Sequence, residues 1–361
     1  ALMKFIKILL IFFVLNSCKK NDVKDIEIEV YRFDKELSSV DSVNIDAKIA
    51  EWDATLNGFH HFYYSDFLEQ NYENSDSFKN LILEGRYHQE IQLISDEISN
   101  EFQNFTDVEN EIESLFGMVQ SYFPEIVVPR YIVTINGERT YSMMFKGDTV
   151  VLSLDMYLGE SNVAYSYAPM YMKNMFQRQY IAPDVLENWC NVQFSSPSQS
   201  SEFLDILIYK GKIMYLMSKF MPNHDEHIIL RFSESEFEEC EKSESEIWEG
   251  IKSLDLLYSN NKIEFHSFFN LSDCTRPISP DSPSRLGYFV GYKIIESYMK
   301  ENEISLKELM KNTNSQEILL QSKYNPDQIE EEYWMLKYWW IIFGLIFILG
   351  YYIYNKYSMK Q

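Results

Sequence analysis

The stretch from Arg130 to Leu154 constrains the fold of this chain most strongly. Three runs rich in β-branched and aromatic residues are separated there by Asn136-Gly137 and by Gly147-Asp148. Such dipeptides between strand-forming runs are strong signals for two-residue β-hairpins. The pattern therefore predicts a small three-stranded antiparallel sheet in the middle of the chain.

Long helical patterns lie on both sides of this predicted sheet. Apolar residues recur at helical spacing over 46–56, 78–98 and 108–122, and again from Tyr165 to about Leu271 with a break at the serine-rich loop 195–201. Near the start of the chain, alternation over 26–30 predicts one further strand. Helices segregated around a small antiparallel sheet define a mostly helical α+β domain, which we expect over residues 26–330.

The first residues have the pattern of a secretory signal. Lys4 and Lys7 precede a short apolar run, and Leu15-Asn16-Ser17-Cys18 follows it. This ending is similar to the signals of bacterial lipoproteins, in which the cysteine is acylated. We expect a signal peptide over 1–17, a lipid such as palmitate on Cys18 and a polar tether over 18–25. An uncleaved anchor helix is the alternative, but the run is short for a membrane span.

A second apolar segment, residues 338–354, contains no charged residue and has Tyr and Trp near its ends. This composition predicts a C-terminal transmembrane helix, with an apolar core helix as the alternative. Lys356 and Lys360 would place the tail 355–361 in the cytoplasm and the domain in the periplasm. A single helical span favours the inner membrane over the outer membrane.

The charge of the chain limits its partners. It has 55 acidic and 32 basic residues and a formal net charge of −23. This argues against nucleic acid and anionic lipid headgroups as ligands. Cys190, Cys240 and Cys274 have no metal-site spacing, and we expect them to be buried thiols.

The sequence offers few candidates for chemistry. His224 and His227 could share one helix face, but no His-Glu-x-x-His segment, serine elbow or phosphate loop is present. Asp155 and Glu160 bracket a turn after the predicted sheet and could act as an acid–base pair or bind Ca²⁺. The alternative is a capping aspartate and a solvated glutamate without a chemical function. We therefore expect no cofactor and no metal ion, and we do not expect an enzyme.

Residues 282–300 read SPSRLGYFVGYKIIESYMK and contain two glycines one helical turn apart. With Ser282 as cap and Pro283 in the first turn, Gly287 and Gly291 would lie inside a helix. Glycine costs about 1 kcal/mol there relative to alanine, which predicts close approach of a neighbouring backbone.

The same segment places Arg285 in the first helical turn, where the helix dipole disfavours a cation. We therefore expect a carboxylate partner, with Asp155, Glu160 and Asp281 as candidates. Asp155, Glu160, Arg285, Gly287 and Gly291 together form the candidate structural or partner site.

Several separated stretches, taken in order, resemble one known family. They are LFGMVQSYFP (115–124), YIVTING (131–137), LSLDMYLG (152–159), YKGKIMYLMSKFMP (209–222), LLYSNN (256–261), SPSRLGYFVGYKIIESYMK (282–300) and QSKYNP (321–326). They resemble the gliding motility lipoprotein GldB of Bacteroidetes.

This resemblance implies a lipoprotein of surface gliding, with protein partners in the gliding and type IX secretion machinery and no established enzymatic activity. It also implies a distant likeness to zincin peptidases, in which Tyr209-Lys210-Gly211 corresponds to a Glu-Gly segment. A lysine cannot replace that carboxylate as a zinc ligand, so the resemblance implies a zincin-like scaffold without its metal. Two other functions stay open, a periplasmic hydrolase with a degenerate site and a ligand-binding module.

Overall fold

The computed structural model describes residues 23–139, 142–198 and 200–327. These residues fall into two compact units. The first unit extends to Gln193 and includes Met217–His224, and the second comprises Phe194–Leu216 and the chain from Asp225 onward. The predicted lipid site at Cys18 and the predicted segment 338–354 lie outside the described residues.

The first unit contains a four-stranded sheet with strands β1 (Glu29–Tyr31), β2 (Tyr131–Ile135), β3 (Met143–Lys146) and β4 (Thr149–Ser153). The strand order is β1-β2-β4-β3. β2 is parallel to both β1 and β4, and β3 is antiparallel to β4. The register pairs Ile132 with Val150 and Val133 with Val151.

The predicted three-stranded antiparallel sheet is therefore wrong, although the hairpin at Gly147-Asp148 is confirmed. Asn136-Gly137 does not close a hairpin, because β2 pairs in parallel with β1 and β4 whereas β3 pairs with β4. Positive φ values occur at Glu138 and Arg139 and not at Asn136 and Gly137. A type I′ turn would need them at the two central residues. β2 and β4 are apolar and almost wholly buried, as parallel interior strands are.

The helices of the first unit pack around this sheet. They are α1 (Phe33–Ser38), α2 (Ile45–Leu56), α3 (Phe59–Phe62), α4 (Ser75–Tyr87), α5 (Gln89–Glu101), α6 (Thr106–Tyr122), α7 (Met170–Lys173) and α8 (Ile181–Gln193). A π-helical turn, Tyr63–Phe67, continues α3. The helix predicted over 78–98 is two helices that meet at His88, whose extended backbone caps both.

Aromatic side chains form the core of α1 to α4. Phe33 lies at its centre, with ring centroids 5.1 Å from Trp52, 5.4 Å from Phe59 and 5.4 Å from Tyr63, all edge to face. This arrangement is the favoured one for aromatic pairs. The core continues onto one face of the sheet through Val133 and Val151.

The second unit is helical in its described residues. Its helices are α9 (Phe203–Phe220), α10 (Glu226–Leu230), α11 (Glu234–Lys242), α12 (Glu244–Ser253), α13 (Lys262–Phe265), α14 (Leu286–Glu301), α15 (Leu306–Lys311) and α16 (Ser315–Ser322). The residues of α9 after Leu216 are grouped with the first unit. α14 is largely buried and carries the two glycines of the 282–300 segment.

The predicted fold class needs a further correction, since it included a C-terminal transmembrane helix. None of the helices in the described ranges has both the length and the apolar character needed to cross a bilayer. The fold is thus α+β with a mixed four-stranded sheet.

Candidate functional site

A small cleft with both polar and apolar lining lies in the first unit, next to the carboxyl ends of the parallel strands. β1 is followed by Arg32 and Asp34, β2 by Asn136 and Glu138, and β4 by Asp155. Because the carboxyl ends of parallel strands share one edge, the topology gathers these groups there, as in open α/β sheets that bind ligands. The polar residues lining the cleft are Asp34, Ser38, Arg86, Ser95, Asn136 and Glu138.

Asp34 is buried at this edge, and its carboxylate is fully engaged. Arg32 donates to both of its oxygens, Nε to Oδ1 at 2.9 Å and Nη2 to Oδ2 at 2.6 Å. Thr134, in β2, also donates its hydroxyl to Oδ1. A charged carboxylate can be buried when it is paired in this bidentate way. The arrangement ties the start of α1 to β2.

Asp155 is wholly buried and holds the loop after β2. Its Oδ1 accepts the Gly137 amide and its Oδ2 the Arg139 amide, each at 2.6 Å. Burial raises the pKa of Asp155 to about 6, against the lowering effect of these two donors. The two bonds fix Glu138 and Arg139 in the left-handed region, with φ of 50° and 60°. Asp155 therefore fixes the backbone on either side of Glu138, which lines the cleft, through these two hydrogen bonds.

Two further polar residues, Tyr63 and Arg86, line the cleft. The Tyr63 hydroxyl donates to the Asn136 carbonyl at 2.6 Å, which fixes the other end of the same loop. The Nε of Arg86 is buried without a hydrogen-bond partner among the described residues. The cleft encloses about 40 Å³, which holds a few water molecules. It suits water or a small polar group rather than an organic substrate.

Glu160, the predicted partner of Asp155, lies in a different environment. Its side chain is exposed and accepts a long hydrogen bond of 3.5 Å from Nε2 of Gln177. Since Asp155 is wholly buried and bonded to backbone amides, the two carboxylates do not share one solvent environment. Their function as an acid–base pair stays a prediction.

Arg285 lies in the second unit and immediately precedes α14. The helix begins at Leu286, and Arg285 is its N-cap residue with a left-handed φ of 61°. Ser282, the predicted cap, instead donates its hydroxyl to the carbonyls of Thr275 and Ser279. The Arg285 guanidinium lies over the Tyr288 ring, 3.9 Å from its centroid. A cation–π contact of this kind stabilises a buried guanidinium.

Gly287 and Gly291 lie where α14 meets neighbouring backbone, which confirms the predicted close approach. A Cβ at Gly291 would lie 2.3 Å from the Leu207 carbonyl oxygen, in α9. A Cβ at Gly211 would in turn lie 2.1 Å from the Gly291 carbonyl oxygen. The pair Gly211 and Gly291 thus allows α9 and α14 to cross in backbone contact. Gly211 belongs to Tyr209-Lys210-Gly211, the segment that corresponds to a Glu-Gly ligand segment in the resemblance to zincin peptidases.

The histidines singled out from the sequence have other surroundings. His224 contacts Glu111 through Nε2, with 2.6 Å between Nε2 and Oε1. His227 lies in α10. The group of potential metal ligands that does converge in the described ranges consists of Asp53, His60 and His61, which no ligand motif in the sequence predicts. Adjacent histidines do not have the spacing of a known metal-ligand motif. The Asn-Gly pair at 57 and 58, however, predicts a tight turn, and such a turn can bring Asp53 close to His60 and His61.

The three remaining cysteines are free and buried. Burial raises the pKa of Cys240 to about 12 and also raises the pKa values of Cys190 and Cys274. The prediction of buried thiols is confirmed. Raised pKa values keep these thiols protonated and unreactive.

The fold and the cleft define a helix-rich α+β domain whose buried carboxylates bind its own backbone and side chains. The chain belongs to the family of the gliding motility protein GldB, whose model matches residues 16–326. This relates the protein to gliding motility, and the family model is one of lipoproteins, which agrees with a lipid anchor. No curated protein and no solved structure matched the chain.

Proposed function

We propose that this protein is a lipid-anchored, non-catalytic component or stabiliser of the gliding motility and type IX secretion machinery, with its domain in the periplasm. The family match over residues 16–326 carries the proposal. The lipobox-like Leu15-Asn16-Ser17-Cys18 supports the anchor independently. Its partners are then proteins of that machinery, and the acidic charge favours basic surfaces on them.

The state of the cleft argues against catalysis at that position. A general acid or base has to reach a substrate proton directly or through one water molecule. The Asp34 carboxylate is bound by Arg32 and Thr134, and the Asp155 carboxylate by two backbone amides. A cleft of about 40 Å³ leaves no room for a peptide or a sugar.

The alternative, a periplasmic hydrolase with a degenerate zincin-like site, relied on Asp155 and Glu160. One of these carboxylates is buried and engaged, and the other is exposed. This contrast favours the non-catalytic function. The complementation experiment below distinguishes it from a hydrolase.

Complementation of a gliding strain that lacks its own family member tests the proposal. We expect the wild-type chain to restore surface spreading, and we expect Glu160→Gln, His224→Gln and His227→Gln to restore it equally well. Cys18→Ala should lose both membrane attachment and spreading, whereas the matched control Ser17→Ala keeps a small residue before the cysteine and should keep both.

Two results would contradict the proposal. Normal spreading with Cys18→Ala would show that a lipid anchor is dispensable. Loss of spreading with Glu160→Gln at an unchanged protein level would instead support a catalytic carboxylate and the hydrolase.

A further inference from the structure

A tight turn between α2 and α3 brings three potential metal ligands together in the first unit. Asn57 and Gly58 both have left-handed backbone, with φ of 48° and 75°. The turn folds the start of α3 back against the last turns of α2. As a result, one ligand atom each of Asp53, His60 and His61 lies within 4.8 Å of the others.

His60 is the unusual member of this group. Its side chain is wholly buried, and neither ring nitrogen has a hydrogen-bond partner among the described residues. Leaving a buried polar group unpaired costs about 1–3 kcal/mol. Its Nε2 faces Oδ1 of Asp53 at 3.6 Å, too far for a hydrogen bond. A metal ion between Nε2 of His60 and Oδ1 of Asp53 would give each of these two atoms a bonding partner.

His61 is already oriented by a second residue. Its Nδ1 lies 2.8 Å from the Tyr72 hydroxyl, and its ring is in contact with the rings of Tyr72 and Phe78. When Nδ1–H donates to Tyr72, the lone pair is at Nε2. A hydrogen bond of this kind, from the second nitrogen to an outer group, orients most metal-binding histidines.

We propose that Asp53, His60 and His61 bind a divalent transition-metal ion of the zinc type. Zinc–ligand bonds of about 2.0–2.2 Å in a tetrahedron place the ligand atoms about 3.3–3.6 Å from one another. The 3.6 Å between His60 and Asp53 is close to this separation. Two imidazoles and one carboxylate favour Zn²⁺ over Ca²⁺ and Mg²⁺, which prefer oxygen ligands.

Such an ion would fasten α3 to α2 across the turn. Three protein ligands leave the fourth tetrahedral position to water or to a side chain of a partner. Asp53 and His61 are exposed, so that the ion could be reached from solvent. The site does not depend on the proposed function in motility.

Titration of the purified, metal-free full chain with Zn²⁺, followed by calorimetry, tests the site. We expect one Zn²⁺ per chain, with at least tenfold weaker binding in Asp53→Asn and in His61→Gln. Tyr72→Phe removes the outer hydrogen bond and should weaken binding 10- to 100-fold. His88→Gln is the matched control, since His88 is exposed on the same unit and should leave the affinity unchanged.

A second measurement separates binding from folding. Zn²⁺ should raise the unfolding temperature of the wild-type chain and of His88→Gln, but not that of His61→Gln. Equal affinities in the wild type, Asp53→Asn and His61→Gln would overturn the proposal. Displacement of the bound Zn²⁺ by millimolar Ca²⁺ would also overturn it, because it would indicate binding by the acidic surface alone.

Discussion

Replacing Gly291 by alanine should destabilise the second unit, because α9 and α14 cross there in backbone contact. The added Cβ would lie 2.3 Å from the Leu207 carbonyl oxygen, where ordinary contact begins at 3.4 Å. The obstacle is backbone and cannot rotate away, so the two helices would have to separate by about 1 Å.

The expected cost is the difference between two effects. Overpacking of a well-packed interior costs about 1–3 kcal/mol, and a backbone obstacle puts this substitution at the upper end. Alanine in place of glycine inside a helix stabilises by about 1 kcal/mol. The free energy of unfolding should therefore fall by about 1–2 kcal/mol, which lowers the urea midpoint by roughly 0.5–1 M.

Gly85→Ala provides a matched control, because Gly85 is a helical glycine in α4 with no atom within 4 Å of the position that a Cβ would take. Only the propensity effect applies there, and the midpoint should rise. Urea unfolding followed by circular dichroism measures both variants. A Gly291→Ala chain as stable as the wild type would refute the backbone crossing, as would equal shifts in both variants.

Two further predictions concern buried ionisable groups. Because burial raises the pKa of Asp155 from 3.8 to about 6, its contribution to the free energy of unfolding should fall by about 3 kcal/mol as pH rises from 3 to 7. Asp155→Asn should lack this slope in urea unfolding, and an unchanged slope would count against a buried carboxylate. Burial lowers the pKa of Lys212, which donates to the Asn312 carbonyl, from 10.5 to about 8. Its contribution to stability should rise by about 3 kcal/mol from pH 8 to 10.5, and Lys212→Met should abolish that rise.

The helices of the first unit were largely predictable because their apolar spacing is local. The predicted helices over 46–56 and 108–122 correspond to α2 and α6. The order of the strands was not predictable in the same way. The parallel pairing of β2 with β4 depends on contacts between distant residues, and Asn136-Gly137 gave a hairpin signal that the bonds to Asp155 override.

The candidate residues were predictable to different degrees. The cost of glycine inside a helix correctly indicated a close approach at Gly291, but nothing local identified Gly211 as its partner. Asp155 was singled out by its position after a strand, whereas its complete burial follows from the tertiary fold. His60 and His61 had no recognisable ligand spacing, because the turn at Gly58 and not the helical repeat brings Asp53 to them.

The most direct test of membership in the gliding and secretion machinery is crosslinking of the tagged full chain in its native membrane, followed by purification and identification of the captured proteins. We expect recovery of motor or secretion components with the wild-type chain and their loss with Cys18→Ala at an equal protein level. Capture of the same proteins by both chains, or of no such component by the wild type, would contradict it.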